Sequence, residues 1–331
     1  MIRSPNRQRP SEESRVNVAV IGAGAVGLGL SSCLLASGAR VHLQVRDARS
    51  ADPLRREGLT RTGIFGSFHA AAGSFTLGTT ASDLTQARPE TLLVCSKTTA
   101  GEEIAQSLAE VWTALPDPTV VLCNNGWGSA ERFARWLPEQ RIFNATITTG
   151  FRRVGWTQVE ITVHGDQIHI GSLFGQPVAQ VAPICAAIAS GGIPCEPSAE
   201  IEQDLWAKLL YNCALNPLAA LLGVPYGAIG DDPFSRSILE AVVREIFEVL
   251  EAAGRTTRWP ASDAYLDFFF RELLPPTREH ESSMLQDLRA ERPTEIDALS
   301  GAVVALAEQA GVSAPINEAL AILVRARQGN T

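Results

Sequence analysis

Short runs of apolar, β-branched residues alternate with longer amphipathic stretches through the first half of the chain. Runs of this length, bounded by glycine and polar residues, predict buried strands. The stretches between them have helical spacing, and such alternation is typical of a doubly wound parallel sheet. The predicted strands are Val16–Ile21, Val41–Val45, Leu92–Ser96 and Thr119–Cys123, and the predicted helices are Leu28–Ser37 and Gly101–Leu115.

The pattern changes at Gln158–Gly171, where apolar and polar residues alternate on either side of Gly165 and Asp166. This alternation predicts a β-hairpin with one buried and one solvated face. His164 and His169 fall on the polar phase, so we expect surface histidines rather than ligands. One more helix and one more strand are predicted at Pro177–Ser190 and Ile193–Pro197.

After Ser198 the periodicity is helical, and the fold class is therefore α/β. We expect a Rossmann-type domain over residues 16–198 and an all-α C-terminal domain over residues 199–331. Residues 1–15 are polar, lack the apolar segment of a secretory signal and are expected to be a disordered tail. The predicted helices are Ala199–Leu222, Phe234–Ala253, Ala261–Leu274, Glu279–Ala290 and Glu295–Ala310.

Composition narrows the class of protein. The net charge of −8 argues against nucleic-acid or anionic-membrane partners. No uninterrupted apolar run comes near the length of about 18–20 residues that is needed to span a bilayer. The six cysteines form no C-x-x-C pair and have no histidine cluster beside them. We therefore expect no metal site, free thiols and a cytoplasmic location. A homodimer stays an open alternative.

A glycine-rich segment follows the first predicted strand and opens the first helix. It reads Gly22-Ala23-Gly24-Ala25-Val26-Gly27, which is G-x-G-x-x-G. Gly22 permits the tight turn, Gly24 lets the backbone approach a pyrophosphate, and Gly27 lets the helix pack against the strand. The free N–H groups of the helix then face the phosphates. In this context the motif predicts dinucleotide binding; the alternative is an empty Rossmann-like turn.

The end of the second strand distinguishes NADP from NAD. NAD enzymes usually place an acid there for the ribose 2′-hydroxyl, whereas this strand ends at Arg46. A guanidinium suits a 2′-phosphate, so NADP is favoured. The alternative is a surface arginine paired with Asp47. Arg49, Arg55 and Arg56 either share the role or form a charged surface.

Polar residues follow the next two strands at the rim where ligands of parallel sheets gather. Lys97 ends one strand and Asn124-Asn125-Gly126 ends the next. Each has a local alternative, because a polar residue also terminates a strand and Asn-Gly is common in turns. Further on, Lys208, Asn212 and Asn216 are spaced i, i+4, i+8 among leucines. On one helix they form a polar line, either a substrate cleft or a solvated face.

These blocks, in this order, resemble the ketopantoate reductase (2-dehydropantoate 2-reductase) family over about residues 16 to 327. The resemblance implies that Lys208 is the general acid on the ketone oxygen. The substrate-contacting positions that it implies are Asn125, Asn212, Asn216 and Ser283. The blocks that carry it are Gly22–Gly27, Lys97, Asn125-Gly126, the W-x-K-L-x-x-N-x-x-x-N-P run at Trp206–Pro217, Ser282–Asp287 and Thr294–Asp297.

The resemblance also implies cofactor contacts. Arg46 and Lys97 match phosphate contacts, Asn125 lies between the nicotinamide ribose and the substrate, and Glu295 contacts the cofactor ribose. On sequence alone, Thr294–Asp297 also has the form of a capping box, and Ser283 of an ordinary helix serine. The implied cofactor is NADP, and the implied partner is a small 2-oxo acid.

One position departs from the family pattern. Where a second Asn-Gly pair usually contacts substrate, this chain has Tyr226-Gly227, and the bulky Trp127 follows Gly126. The leading hypothesis is NADPH-dependent reduction of ketopantoate to pantoate in pantothenate and coenzyme A biosynthesis. The alternatives are an NADPH-dependent reductase of a different 2-oxo acid or an imine, and a catalytically silent NADPH-sensing protein.

Overall fold

The computed structural model describes residues 15–329 and divides the chain into two compact units. The tail expected at residues 1–15 therefore lies outside the described residues except for Arg15. The first unit contains residues 15–96, Glu103–Cys123 and Ala134–Ala199. The second contains Glu200 onwards together with Lys97–Glu102 and Asn124–Phe133. Two short segments from the first half of the chain thus fold with the second half.

The strands of the first unit form two sheets. The larger runs β12-β11-β8-β7-β6-β1-β2-β5, and the smaller runs β4-β3-β10-β9. Pairing is parallel from β5 across to β8 and antiparallel between β8 and β11. The strands are β1 (Asn17–Ile21), β2 (Arg40–Gln44), β3 (Leu59–Gly63), β4 (Phe68–Ala70), β5 (Thr76–Gly78), β6 (Thr91–Val94), β7 (Thr119–Leu122), β8 (Ile142–Thr146), β9 (Thr149–Arg153), β10 (Gln158–His164), β11 (Ile168–Gly171) and β12 (Cys195–Pro197).

The strand order reverses at β1, which pairs with β2 on one side and with β6 on the other. In a doubly wound sheet this switch point is where ligands bind, outside the carboxyl ends of the strands. The central strands are buried on both faces, which explains why their sequences are uniformly apolar. The helices of this half are α1 (Ala25–Ser37), α2 (Ala48–Glu57), α3 (Ala81–Ala87), α4 (Gly101–Val111), α5 (Ser129–Ala134) and α6 (Ala182–Ser190).

The hairpin predicted at Gln158–Gly171 does not form. Strand β10 pairs with β3 and β9 in the smaller sheet, whereas β11 pairs with β8 and β12 in the larger one. Alternation reports that a strand has one buried face, but it does not report which strand lies beside it. The prediction of two surface histidines is also wrong for His169, which is buried, while His164 is half-buried and its Nδ1 is 2.9 Å from the Thr149 hydroxyl.

The second unit is helical around one apolar core. The predicted helices all form, with shorter bounds in places, and two helices had not been predicted: the short α8 (Tyr226–Asp231) and the longer α13 (Pro315–Gly329). Pro315 is the first residue of α13, a position where the N–H that proline lacks would have no partner within the helix. These helices are α7 (Ile201–Leu222), α8 (Tyr226–Asp231), α9 (Pro233–Ala252), α10 (Ser262–Phe268), α11 (Ser283–Arg289), α12 (Ser300–Ala310) and α13 (Pro315–Gly329).

Helix α7 is the centre of this unit. By length and mean hydropathy it could cross a bilayer, but 67% of that apolar window is buried within the structure. Trp206, Leu210 and Leu215 on this helix have essentially no exposed surface. The apolar character of α7 is thus that of a core helix, which tertiary packing rather than lipid covers.

A buried carboxylate joins α9 to α13. Glu245 on α9 is 6% exposed, and its oxygens accept hydrogen bonds from the backbone N–H groups of Ile316 and Asn317, both at 2.8 Å. The Asn317 side-chain amide donates a third bond at 2.9 Å. Because the first N–H groups of a helix have no partner within it, Glu245 supplies from another helix the cap that α13 needs.

Candidate active site

The glycine-rich turn after β1 has the geometry that its glycines predict. Gly22 has φ +107°, and a Cβ there would lie 3.1 Å from the backbone nitrogen of Ser96, two residues beyond the neighbouring strand β6. A Cβ on Gly27 would overlap the carbonyl oxygen of Gly22, so α1 can approach the turn this closely only without a side chain. Both positions therefore require glycine for the fold itself.

Gly24 is different, because a Cβ there would meet nothing within 4 Å. It is the N-cap of α1, and no side chain accepts a hydrogen bond from the first turn. That turn also has no acidic residue, and Ala23, Ala25 and Val26 offer no polar group. The open backbone N–H groups and the positive end of the helix suit a phosphate anion, so these residues fit a dinucleotide.

Arg46 follows β2, with its side chain 88% exposed. Its Nε lies 3.5 Å from Asp47, but that carboxylate is already the cap of α2, accepting hydrogen bonds from the backbone and hydroxyl of Ser50. These bonds from Ser50 lower the pKa of Asp47. Of the other arginines considered, Arg55 pairs with Asp52, and Arg49 lies 5.7 Å from the ring centroid of Trp156. Arg46 therefore presents a solvated guanidinium at the end of the strand.

In the second unit, Glu295 is held by donors from two short segments of the first half of the chain. Thr98 donates its backbone N–H at 3.0 Å and its hydroxyl at 3.3 Å to Oε1. Asn125 donates from Nδ2 to Oε2 at 3.1 Å. The alternative of a capping box does not form here, because the backbone N–H of Thr294 donates to Gln328 and Asp297 pairs with Arg325. The Glu295 carboxylate is thus fixed beside Asn125.

The backbone next to Asn125 explains how that side chain is placed. Gly126 has φ +86°, and a Cβ there would overlap the carbonyl oxygen of Ala298. The backbone N–H of Trp127 donates to the same carbonyl at 2.8 Å. The Trp127 ring stacks on Trp206 at 4.3 Å between centroids. Trp127, the bulky residue noted after Gly126, therefore anchors this segment against α7.

Lys97 is paired in this structure with an acid that the sequence analysis had not singled out. Its ammonium forms an ion pair with Asp287 on α11 and lies 3.4 Å from the carbonyl oxygen of Pro293. Asp287 is 5% exposed and also accepts two hydrogen bonds from Arg292, at 3.0 and 3.1 Å. The phosphate contact implied for Lys97 stays a prediction.

A small polar pocket lies within the second unit. Four of the residues implied by the resemblance line it, and Asp287 and two apolar side chains complete the wall. Ser283 is exposed in the first turn of α11, whose N-cap is the buried neighbour Ser282. Lys208 and Asn212 are not part of this lining. The lining is Asn125, Asn216, Ser283, Met284, Asp287, Glu295 and Leu299.

The polar line predicted on α7 is mostly covered by protein. Asn212 is 9% exposed and Asn216 is 5% exposed, while Lys208 is half-buried. The alternative of a solvated outer face is therefore wrong for the two asparagines. Buried amides need polar partners, so these two positions are not simply an exposed polar face.

Tyr226, at the start of α8, contacts the same helix. It is 3% exposed, and its hydroxyl donates to Oδ1 of Asn216 at 2.5 Å. Burial raises the pKa of Tyr226 well above its ordinary value, so the phenol stays protonated. The residue that departs from the family pattern is thus bound to a pocket-lining asparagine.

Sequence reasoning missed Thr98, Asp287 and the Tyr226–Asn216 contact. Thr98 comes directly after Lys97 and carries no motif of its own. Asp287 stands one helical turn after Ser283 in a block that the resemblance had quoted, and this i, i+4 spacing was the available signal. The contact of Tyr226 with Asn216 joins two elements across a turn, and no local pattern reports it.

The open helix terminus at the sheet switch point fits a dinucleotide, and the pocket of the second unit is lined by amide, hydroxyl and carboxylate groups. Together with the matches that follow, these features place the chain among oxidoreductases that use a nicotinamide dinucleotide. Residues 18–175 match the family model described as ketopantoate reductase PanE/ApbA, and residues 200–328 match its C-terminal counterpart. The 2-dehydropantoate 2-reductase of Aquifex aeolicus (strain VF5) is 30% identical over 311 residues, which cover 93% of this chain and 96% of that protein. The chain therefore belongs to the ketopantoate reductase family.

Solved structures agree on the fold. The PanE/ApbA family ketopantoate reductase from Ralstonia eutropha JMP134 has a TM-score of 0.81 at 26% identity, covering 95% of this chain and 98% of that one. A D-mandelate dehydrogenase with NADH and anilino(oxo)acetate has a TM-score of 0.82 at 22% identity, with coverages of 95% and 98%. At that identity the second likeness concerns the fold alone.

Proposed function

We propose that this protein reduces 2-dehydropantoate to pantoate with NADPH, in the cytoplasm and as a step of pantothenate biosynthesis. The observation that carries the proposal is the polar pocket, which four of the implied site residues line together. Its amides and hydroxyl suit the carboxylate of a small 2-oxo acid. The names of the relatives supply the particular acid.

The chemistry divides between the cofactor and the chain. When bound, NADPH supplies a hydride to C2 of the 2-oxo acid. Negative charge then develops on the ketone oxygen, and Lys208 stabilises it and donates the proton there. Asn216 and Ser283 hold the substrate carboxylate through neutral donors. Glu295, fixed by Thr98 and Asn125, holds the cofactor ribose, while Arg46 and Lys97 contact its phosphates.

The test is an assay of NADPH oxidation with 2-dehydropantoate against a panel of other 2-oxo acids and a cyclic imine. We expect the highest kcat/KM for 2-dehydropantoate. Preference for another compound would replace the substrate and keep the reaction class. Binding of NADPH without turnover of any compound would contradict the enzyme and favour a sensor.

A second candidate is a reductase of a different 2-oxo acid, and the position of Tyr226 favours it. A buried phenol stands where the family usually has a substrate-contacting asparagine, so the pocket has fewer amide groups for a polar substrate side chain. On this hypothesis, a 2-oxo acid with an apolar side chain gives the highest kcat/KM in the panel.

The exposed guanidinium of Arg46 predicts a preference for NADPH over NADH. Replacing Arg46 by alanine should raise KM for NADPH by at least about tenfold and leave KM for NADH nearly unchanged, because a guanidinium–phosphate interaction is lost. Steady-state kinetics with both cofactors measure this. Arg55→Ala is the matched control, since Arg55 pairs with Asp52 on the same helix. Equal changes with both cofactors would contradict the role.

A further inference from the structure

The amide of Asn216 has a defined orientation because one of its two ends is already bound. Its Oδ1 accepts the Tyr226 hydroxyl at 2.5 Å. An asparagine amide has acceptors at one end and two N–H donors at the other, so fixing the oxygen also fixes the direction of the donors. Asn216 lines the polar pocket, and because its Oδ1 is bound to Tyr226, the Nδ2 donors are the end of the amide available to a ligand there.

The Tyr226 ring is itself held on several sides. It packs edge-to-face on Tyr211, with centroids 5.8 Å apart, and its centroid is 5.2 Å from that of His280. The backbone N–H of Tyr226 donates to the His280 carbonyl at 3.1 Å, and that of Gly227 to the Arg278 carbonyl at 2.8 Å. A side chain held in this way can define the position of a partner.

We infer that Tyr226 is a positioning residue that turns the Asn216 amide so that its N–H groups bind the carboxylate of the substrate. The inference rests on the proposed function and deepens it. A carboxylate only accepts hydrogen bonds, so it needs donors in a fixed direction. An asparagine free to flip would present its oxygen to that carboxylate part of the time.

The test removes only the hydroxyl. In Tyr226→Phe we expect KM for the 2-oxo acid to rise about tenfold, the loss of one oriented hydrogen bond to a charged group, while kcat and the Kd for NADPH stay close to wild type. Tyr211→Phe is the matched control. It removes a hydroxyl that donates to Thr277 at 2.8 Å, from a ring that touches Tyr226. A rise in KM of equal size in both variants would overturn the inference.

A double-mutant cycle separates positioning from general packing. If Tyr226 acts through Asn216, the pair Tyr226→Phe and Asn216→Ala raises KM no more than Asn216→Ala alone. Additive effects would instead mean that the hydroxyl acts independently of Asn216, and would overturn the inference.

Binding without turnover distinguishes this inference from the proposed function. Calorimetric titration of a 2-oxo acid into the enzyme with NADP⁺, which cannot reduce it, measures the same hydrogen bond. Wild-type turnover with an unchanged Kd in Tyr226→Phe would overturn this inference and leave the function standing. Weaker binding in Tyr226→Phe, without turnover by the wild type, would support the positioning role and contradict the reductase.

Discussion

Lys208→Ala should lower kcat for 2-dehydropantoate by about 10²- to 10⁴-fold, the usual contribution of a general acid. The reason, on the proposed mechanism, is that the charge on the ketone oxygen loses the cation that stabilises it and the group that donates its proton. Lys208 is half-buried on α7, one turn before Asn212 and two turns before Asn216. Stopped-flow measurement of the hydride step, with NADPH binding followed by fluorescence, checks it.

Lys208→Arg is the informative companion. Arginine keeps the positive charge but has a pKa too high to give up its proton readily, so it retains the electrostatic part of the role and loses the acid part. We expect an intermediate kcat. A kcat close to wild type in Lys208→Ala would show that Lys208 takes no part in the reaction. If kcat falls in Lys208→Ala but is unchanged in Lys208→Arg, the role of Lys208 is electrostatic and not that of a general acid.

The second large effect concerns stability. Glu245→Ala should lower the free energy of unfolding by about 3 kcal/mol, because it leaves buried N–H groups of α13 without an acceptor. Urea unfolding followed by circular dichroism measures it. Glu240, on the same helix, pairs with Arg236 and Arg244 near the surface. Glu240→Ala should change stability by less than about 1 kcal/mol.

A similar loss in both glutamate variants would contradict the special role of Glu245. Glu245→Gln adds a further check, since its amide would turn a donor toward N–H groups that need an acceptor. We expect a destabilisation close to that of alanine. If glutamine is tolerated, the charge of Glu245 is dispensable and one oxygen is sufficient to cap α13.

The parts of the fold that could be predicted from sequence were local. The turn at Gly22–Gly27 is one contiguous motif. Because Gly22 and Gly27 have no side chain, the backbone of Gly22 can lie close to Ser96 and that of Gly27 close to the Gly22 carbonyl. The helical half followed from periodicity over long windows. The line of Lys208, Asn212 and Asn216 followed from spacing on one helix, and the burial of both asparagines agrees with a polar ligand there.

The contacts that could not be predicted join residues that are distant in sequence. Thr98 and Glu295 are 197 positions apart, and neither lies in a local sequence pattern that indicates a contact with the other. The same holds for Lys97 and Asp287. The separation of β10 and β11 into two sheets was missed because adjacent strands with one buried face are compatible with either arrangement.

The way the chain is divided between the units bears on how this family can be recombined. The chain passes from one unit to the other at 96/97, 102/103, 123/124, 133/134 and 199/200. A chimera joined only at residue 199 would give the incoming helical half a foreign Thr98 and Asn125 counterpart. For Glu295 to keep its hydrogen-bond donors, residues 97–102 and 124–133 must come from the same protein as residues 200–329. A chimera of two family members that keeps these hydrogen bonds therefore has to be joined at all five junctions.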